Sequence, residues 1–261
     1  MGRRAQAHLA SPRKGSLLKS RAPFTARAAP ARVESIDWGP IVQDLDARGN
    51  AVIEQLLTPF ECNALTTLYS DEAKFRSRVV MERHGFGRGE YQYFRYPLPP
   101  LVAELRESLY PPLCAVANRW NESMRLEVRY PDSHADYLSR CHDDGQVQPT
   151  PLLLKYGAGD YNCLHQDLYG EHVFPLQVAV LLSAPGRDFT GGEFVITEQR
   201  PRMQSRPEVV PLGQGDAVVF AVRERPVAGT RGDYRVAMRH GVSRIRSGKR
   251  YTLGIIFHDS Q

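Results

Sequence analysis

With 261 residues, 42% of them hydrophobic, the chain is long enough for one large domain with a real core. Its four cysteines, Cys62, Cys114, Cys141 and Cys163, form no CxxC pair, and no apolar run is long enough for a membrane span or a secretory signal; this excludes a disulfide-stapled secreted module and a membrane partner and predicts a soluble, cytoplasmic protein with reduced thiols. The formal charge of +5 is not spread over the chain: residues 1–33 hold eight Lys or Arg and no acid, which leaves −3 for the rest and weakens a nucleic-acid reading based on charge alone.

The segment 1–33 is read as a disordered basic extension, with three roles open: a nucleic-acid tether, an organelle transit peptide, or a plain solvated tail. Residues 34–149 are expected to form a mainly helical N-terminal part of the catalytic domain. Ile36 to Arg48 has helical spacing, and Gly49-Asn50 ends it before a strand-like run from Ala51 to Leu57. Thr58-Pro59-Phe60-Glu61 has the form of a capping box with proline at the first helical position, which predicts a helix to about Ser70. Gly85, Gly87 and Gly89 precede the aromatic cluster Tyr91, Tyr93, Phe94 and Tyr96, read either as a mobile substrate loop or as an aromatic edge strand. Leu101 to Met124 looks helical, with Pro111-Pro112 dividing it into two pieces.

From residue 150 to 261 the texture changes to short strands between turn signals. The candidates are Leu152 to Tyr156, Tyr161 to Gln166, Leu176 to Ser183, Glu193 to Thr197, Glu208 to Leu212, Ala217 to Val222, Arg235 to Ile245 and Arg250 to Phe257. Eight strands following helices predict an α+β fold: a double-stranded β-helix, or jelly roll, with N-terminal buttressing helices.

Two imidazoles and one carboxylate on one face of a metal leave three positions for small molecules, the arrangement a non-haem Fe(II) oxygenase needs. A His-x-Asp pair supplies half of it and occurs three times, as His134/Asp136, His142/Asp144 and His165/Asp167. The first two lie in a polar, helix-like stretch expected to be a solvated face. The third follows a Gly-rich turn and a strand-like run, where alternation would point Cys163, His165 and Asp167 to one side, with Cys163 packing rather than ligating. His240, on a later strand, is the best third metal ligand. Arg250, ten residues on, would bring a fixed cation beside the pocket to pair with the distal carboxylate of 2-oxoglutarate, and Tyr156 could donate its phenol to the same cosubstrate.

These residues resemble the 2-oxoglutarate/Fe(II)-dependent dioxygenase superfamily, over most of the chain from about Ala51 to Phe257. Tyr156-Gly157-Ala158-Gly159 through Leu164-His165-Gln166-Asp167 resembles the segment preceding the iron in AlkB-type nucleic-acid demethylases. Gly191-Gly192-Glu193-Phe194, the turn Gly213 to Asp216, and His240-Gly241-Val242 through Arg250-Tyr251 look like later superfamily motifs, and Ala51 to Leu65 is similar to prolyl-hydroxylase relatives. Together with Arg95-Tyr96-Pro97, Asn118-Arg119-Trp120 and Arg200-Pro201-Arg202, the pattern resembles a bacterial oxygenase family described as acting on damaged DNA. Leu154 and Ile256 depart from the AlkB pattern, which generally has asparagine and a second arginine at these places. The resemblance implies Fe(II), 2-oxoglutarate and O2 as cofactor and cosubstrates, with room for ascorbate as reductant. It leaves the substrate between N-alkylated nucleic acid, as in DNA repair with the base stacked on Phe86, Tyr91 or Tyr93, and a prolyl or other protein side chain. A non-enzymatic, cupin-like binding barrel is the third reading.

Overall fold

The computed structural model describes residues 28–168, 170–230 and 232–261. Most of the predicted basic extension, residues 1–27, lies outside them. In chain order the elements are α1 (Ala29–Glu34), α2 (Trp38–Arg48), β1 (Asn50–Ile53), α3 (Pro59–Leu68), β2 (Phe75–Val80), β3 (Gly87–Arg88), β4 (Glu90–Phe94), α4 (Pro100–Ser123) and α5 (His134–Asp143). The strand-rich part follows with β5 (Leu152–Tyr156), β6 (Tyr161–His165), β7 (Leu176–Leu181), β8 (Phe189–Gly191), β9 (Phe194–Gln199), β10 (Arg206–Val210), β11 (Ala217–Ala221), β12 (Glu224–Val227), β13 (Tyr234–Val242), β14 (Ile245–Gly248) and β15 (Arg250–Ile255).

Local chemistry accounts for the helix ends. Asp37 caps α2 by accepting from Gly39 N, and Gly49 closes the helix at φ +75°, a left-handed conformation that costs glycine little. At α3 the capping box is present in both directions: Glu61 N donates to Thr58 Oγ1 at 3.2 Å and Thr58 N donates to Glu61 Oε2 at 2.8 Å. The same Glu61 holds the Arg32 guanidinium at 2.7 Å, while Arg32 Nε donates to Leu56 O. This tie corrects the tail boundary. Residues 29–33, expected to be disordered, form most of α1, with Ala29 and Val33 buried in the core.

Proline does not divide α4, which runs unbroken through Pro111 and Pro112. Each proline removes one helical hydrogen bond, but Pro111 and Glu107, the residue four before it, are exposed, so that freed carbonyl can meet water. The opposite face is held by burial of Leu105, Leu109, Leu113 and Trp120, and Trp120 Nε1 donates to Asp46 Oδ1 at 2.7 Å. Packing thus overrides the local breaker.

The fold mixes helices with antiparallel sheet. One sheet has the order β1-β11-β7-β15-β5-β4-β2, the other β10-β9-β13-β6-β3 with β12 on β13, and β14 pairs with β8 in a small flap. All eight strand positions expected after residue 150 hold strands. The region before 150 is less helical than expected: β1, β2 and β4 extend the larger sheet, and β3 extends the smaller. Tyr91, Tyr93 and Phe94 of the aromatic cluster belong to β4, with Tyr96 just beyond it; paired on both sides by β2 and β5, the strand is a wall, neither a loop nor an edge. In chain order β5, β6, β7, β9, β11, β13 and β15 alternate between the two large sheets, with β10 and β12 staying beside β9 and β13, and Phe194 of one sheet meets Phe220 of the other at 5.1 Å.

Candidate active site

His165 ends β6 and His240 lies opposite it on β13, directly paired in register, so the two rings meet with centroids 4.2 Å apart. Asp167, two residues beyond the strand, reaches back between them. Its Oδ1 is 3.3 Å from His165 Nε2 and its Oδ2 is 3.5 Å from His240 Nε2. One ligand atom from each of the three falls within 4.8 Å of the others, a donor set of two nitrogens and one oxygen that can hold a metal ion.

Electrostatics agrees with that chemistry. Burial opposes ionisation of Asp167, but hydrogen bonds and charge from the two imidazoles outweigh it and hold the carboxyl well below its usual range. Burial lowers the His240 value, with His165 adding to the effect. For His165 burial acts the same way, yet the Asp167 carboxylate reverses it and the net shift is upward. His165 Nδ1 lies 2.8 Å from Cys163 O, which only accepts, so the proton belongs on Nδ1 and the Nε2 lone pair faces Asp167 and His240. His240 Nδ1 is buried without a partner.

The three side chains open into a cavity of about 170 Å³ between the sheets. Arg250 and Tyr156 are paired in register across β15 and β5 and both line it. Arg250 is 1% exposed and has no ion-pair partner among the described residues; burial pulls its pKa down to about 10. Its Nη1 donates to Thr252 Oγ1 at 2.5 Å, while its Nε has no partner. The Tyr156 hydroxyl is likewise buried and unpartnered, and burial pushes its pKa up. A buried cation and a phenol with open donors fit a bound carboxylate, and the His165/Asp167/His240 set fits a divalent metal.

Among the described residues, only the His165/Asp167 pair is joined by a third ligand-type side chain, His240; the other two pairs are placed differently. Their stretch is solvated as expected at Asp136, His142 and Asp144, which are exposed, but not at His134. His134 is buried with Nε2 2.8 Å from Phe257 O, and His142 Nε2 meets the buried Asp259 at 2.8 Å, so both brace the C-terminal segment. Cys163 does not share the His165 side as expected. Between His240/His165 and Val242/Asn162 the register shifts, with three steps on β6 against two on β13. This bulge breaks the alternation, leaves Cys163 exposed and turns Asn162 into the cavity. Gly241 makes the bulge possible, since a Cβ there would lie 2.7 Å from Asn162 O and 3.1 Å from Cys163 O. Sequence reasoning missed Asn162, Gln177 and Thr252 as lining residues; only inward alternation on β7 and β15 could have flagged the last two.

Residues 89–260 match the family model Oxygenase-NA, described as "Oxygenase, catalysing oxidative methylation of damaged DNA". The chain belongs to this oxygenase family. Two uncharacterised proteins of Mycobacterium tuberculosis, from strains CDC 1551 / Oshkosh and ATCC 25618 / H37Rv, are each 51% identical to it over 167 residues, covering 64% of this chain and 72% of theirs. Among solved structures it is similar to a Pseudomonas putida prolyl-4-hydroxylase, with TM-score 0.47, 12% identity, and 85% of this chain and 98% of that one covered. It is also similar to a 2OG-Fe(II) oxygenase family oxidoreductase from Burkholderia pseudomallei, with TM-score 0.44, 16% identity, and 87% and 93% covered. No helix among the described residues of this oxygenase is long and apolar enough to cross a membrane.

Proposed function

We propose that this oxygenase uses Fe(II) held by His165, Asp167 and His240, and 2-oxoglutarate anchored by Arg250 and Tyr156, to oxidise an N-alkyl group on a nucleic-acid base. The observation that carries the cosubstrate reading is the buried Arg250 guanidinium, left with open donors and no counter-charge in the same cavity as the His-Asp-His set. The alternation of strands between two sheets supports reading the core as a double-stranded β-helix. A buried guanidinium would bind the far carboxylate in two charge-assisted hydrogen bonds, and the Tyr156 hydroxyl would add a third donor. Thr252 orients the guanidinium, and the Phe194 and Phe220 rings hold His240 in place with centroids 6.0 Å and 4.4 Å away.

Bound together, Fe(II) and 2-oxoglutarate supply oxygen activation: O2 and 2-oxoglutarate yield succinate, carbon dioxide and one hydroxyl placed on a substrate carbon. On an N-methyl base the hydroxymethyl product would release formaldehyde and the unmodified base. The cavity walls can position such a ring. Tyr91 and Tyr93 meet edge to face at 5.4 Å, and Phe86, 41% exposed, stands at the rim. Charge is also less adverse than the −3 of residues 34–261 suggests, because residues 200–250 carry twelve Lys or Arg against four acids. Eight of these cations, including Arg239 beside His240 and Arg244, Arg246 and Lys249, are exposed. The test is Fe(II)- and ascorbate-supported succinate release, screened against methylated oligonucleotides and a peptide library. Formaldehyde release with methylated bases is expected, whereas turnover of peptides alone would move the substrate to a prolyl or other protein side chain. Absence of 2-oxoglutarate binding would leave only a metal-binding barrel.

A further inference from the structure

Arg250 borders two cavities. On its far side a second cavity of about 300 Å³ is walled by Leu181, Phe189, Val210 and Leu212, and its rim at Gly186, Thr190 and Pro211 is exposed. Among the described residues, Phe194 and Arg250 are the only side chains lining both cavities. The guanidinium carbon lies 5.7 Å from the Tyr156 ring centroid on the inner side and 5.9 Å from Phe189 on the outer. Among the described residues its one side-chain hydrogen bond is to Thr252, and its Nε has no partner. Beside its stem runs bare backbone: a Cβ on Gly192 would come 3.0 Å from Arg250 Cδ.

Next to the outer rim, whose own lining includes the acid Glu193, the adjoining flap carries cations. The β8/β14 flap sets Arg246 against Gly191, whose added Cβ would meet Arg246 Cγ at 2.9 Å. Arg244 O accepts from Gly192 N, and Lys249 N donates to Asp188 O at 3.0 Å. Arg244, Arg246 and Lys249 are all exposed, and none is in an ion pair among the described residues. Against them stand Glu193, engaged by Ser243, and Asp188, paired with Arg187. Exposed cations on the flap beside the rim and a buried cation at the base favour the approach of a small dianion.

Resting on the cosubstrate reading above, we propose that this second cavity is a vestibule for dicarboxylates, through which 2-oxoglutarate reaches the inner cavity and succinate leaves. The Arg250 guanidinium passes the carboxylate from one side to the other. Cosubstrate exchange then proceeds while the aromatic mouth at Phe86 and Tyr93 is covered by substrate.

The experiment is anaerobic stopped-flow mixing of the Fe(II)-loaded protein with 2-oxoglutarate, following the visible band that chelation produces, with the equilibrium constant measured separately by calorimetry. Leu212→Trp fills the vestibule, and Thr190→Trp does so from an exposed rim position that leaves the core intact. A passage affects both directions equally, so association and dissociation should each slow by about tenfold with the dissociation constant unchanged. Arg246→Glu with Lys249→Glu should slow association roughly three- to tenfold and reduce its dependence on salt. Unchanged rates in both tryptophan variants would overturn the vestibule and route the cosubstrate through the aromatic mouth. A weakened dissociation constant with unaltered association would also overturn it, by making these residues part of the inner site. Failure of the wild-type protein to bind 2-oxoglutarate is a distinct result and would remove the cosubstrate reading itself.

Discussion

His165 and His240 differ in what holds their outer nitrogens: a carbonyl braces the first, while the second rests on aromatic packing alone. Each is still indispensable to a three-ligand site, so His165→Ala, Asp167→Ala and His240→Ala should each abolish turnover and strongly weaken Fe(II) binding measured by titration. His134→Ala and His142→Ala should bind iron as the parent does; loss of metal there would mean the wrong pair has been chosen. Cys163 is exposed on the far side of the bulge, and Cys163→Ala should leave iron affinity unchanged. Removing the Arg250 fork should cost roughly 2–5 kcal/mol of 2-oxoglutarate binding. That corresponds to about 30-fold or more in the dissociation constant. Arg250→Lys should recover part of it, since the charge remains without the planar fork, and Lys249→Ala, on an exposed neighbour, should leave inner-site affinity alone.

The β6/β13 pair is the element on which the site depends, because one bulge sets which residues of β6 face the cavity. Gly241→Val would drive a branched side chain against the Asn162 and Cys163 carbonyls, 2.7 and 3.1 Å from a Cβ at that position. The expected result is a loss of about 1–3 kcal/mol in urea unfolding, together with weaker Fe(II) binding as His165 shifts from its place opposite His240. A stable variant with normal iron affinity would show that the bulge does not set the site's register. The neighbouring β4 wall illustrates how much of an element the sequence can show. Its aromatic alternation was legible, but whether β5 would pair with it was not, because a partner about 60 residues away leaves no trace in a local pattern.

Across the whole molecule, the C-terminal segment is fastened to the helices by a buried polar network. Arg106 meets Asp259 at 2.7 Å with both side chains almost fully buried, and Tyr96 and His142 each reach the second carboxylate oxygen. Arg106→Ala would leave Asp259 without its buried cation and should destabilise by about 3–5 kcal/mol in chemical denaturation. His134 and His258 are buried close by, and burial lowers each to a pKa of about 4. A folded value below the unfolded one means that the unfolded chain binds the proton first. Stability is therefore complete above about pH 6.5 and falls as the pH drops towards 4, by on the order of 3 kcal/mol for each histidine. The unfolding midpoint should decline between pH 7 and 5, and His134→Gln should flatten part of that decline. A midpoint that is constant over the range would show that neither histidine is held neutral.

By itself the sequence determined the parts that depend on near neighbours: the Thr58 capping box, eight of the eleven strands after residue 150, and the His165-x-Asp167 pair behind its glycine turn. These follow from hydrogen bonds and alternation over a few residues, which the chain carries wherever it goes. Tertiary structure alone decided that α4 would survive two prolines, that α1 would dock through Arg32, that the other two histidine pairs would become braces, and that the bulge would present Asn162 in place of Cys163. Each of those outcomes was set by contacts between distant segments. Burial and register there outweigh the local preferences that a linear reading can weigh.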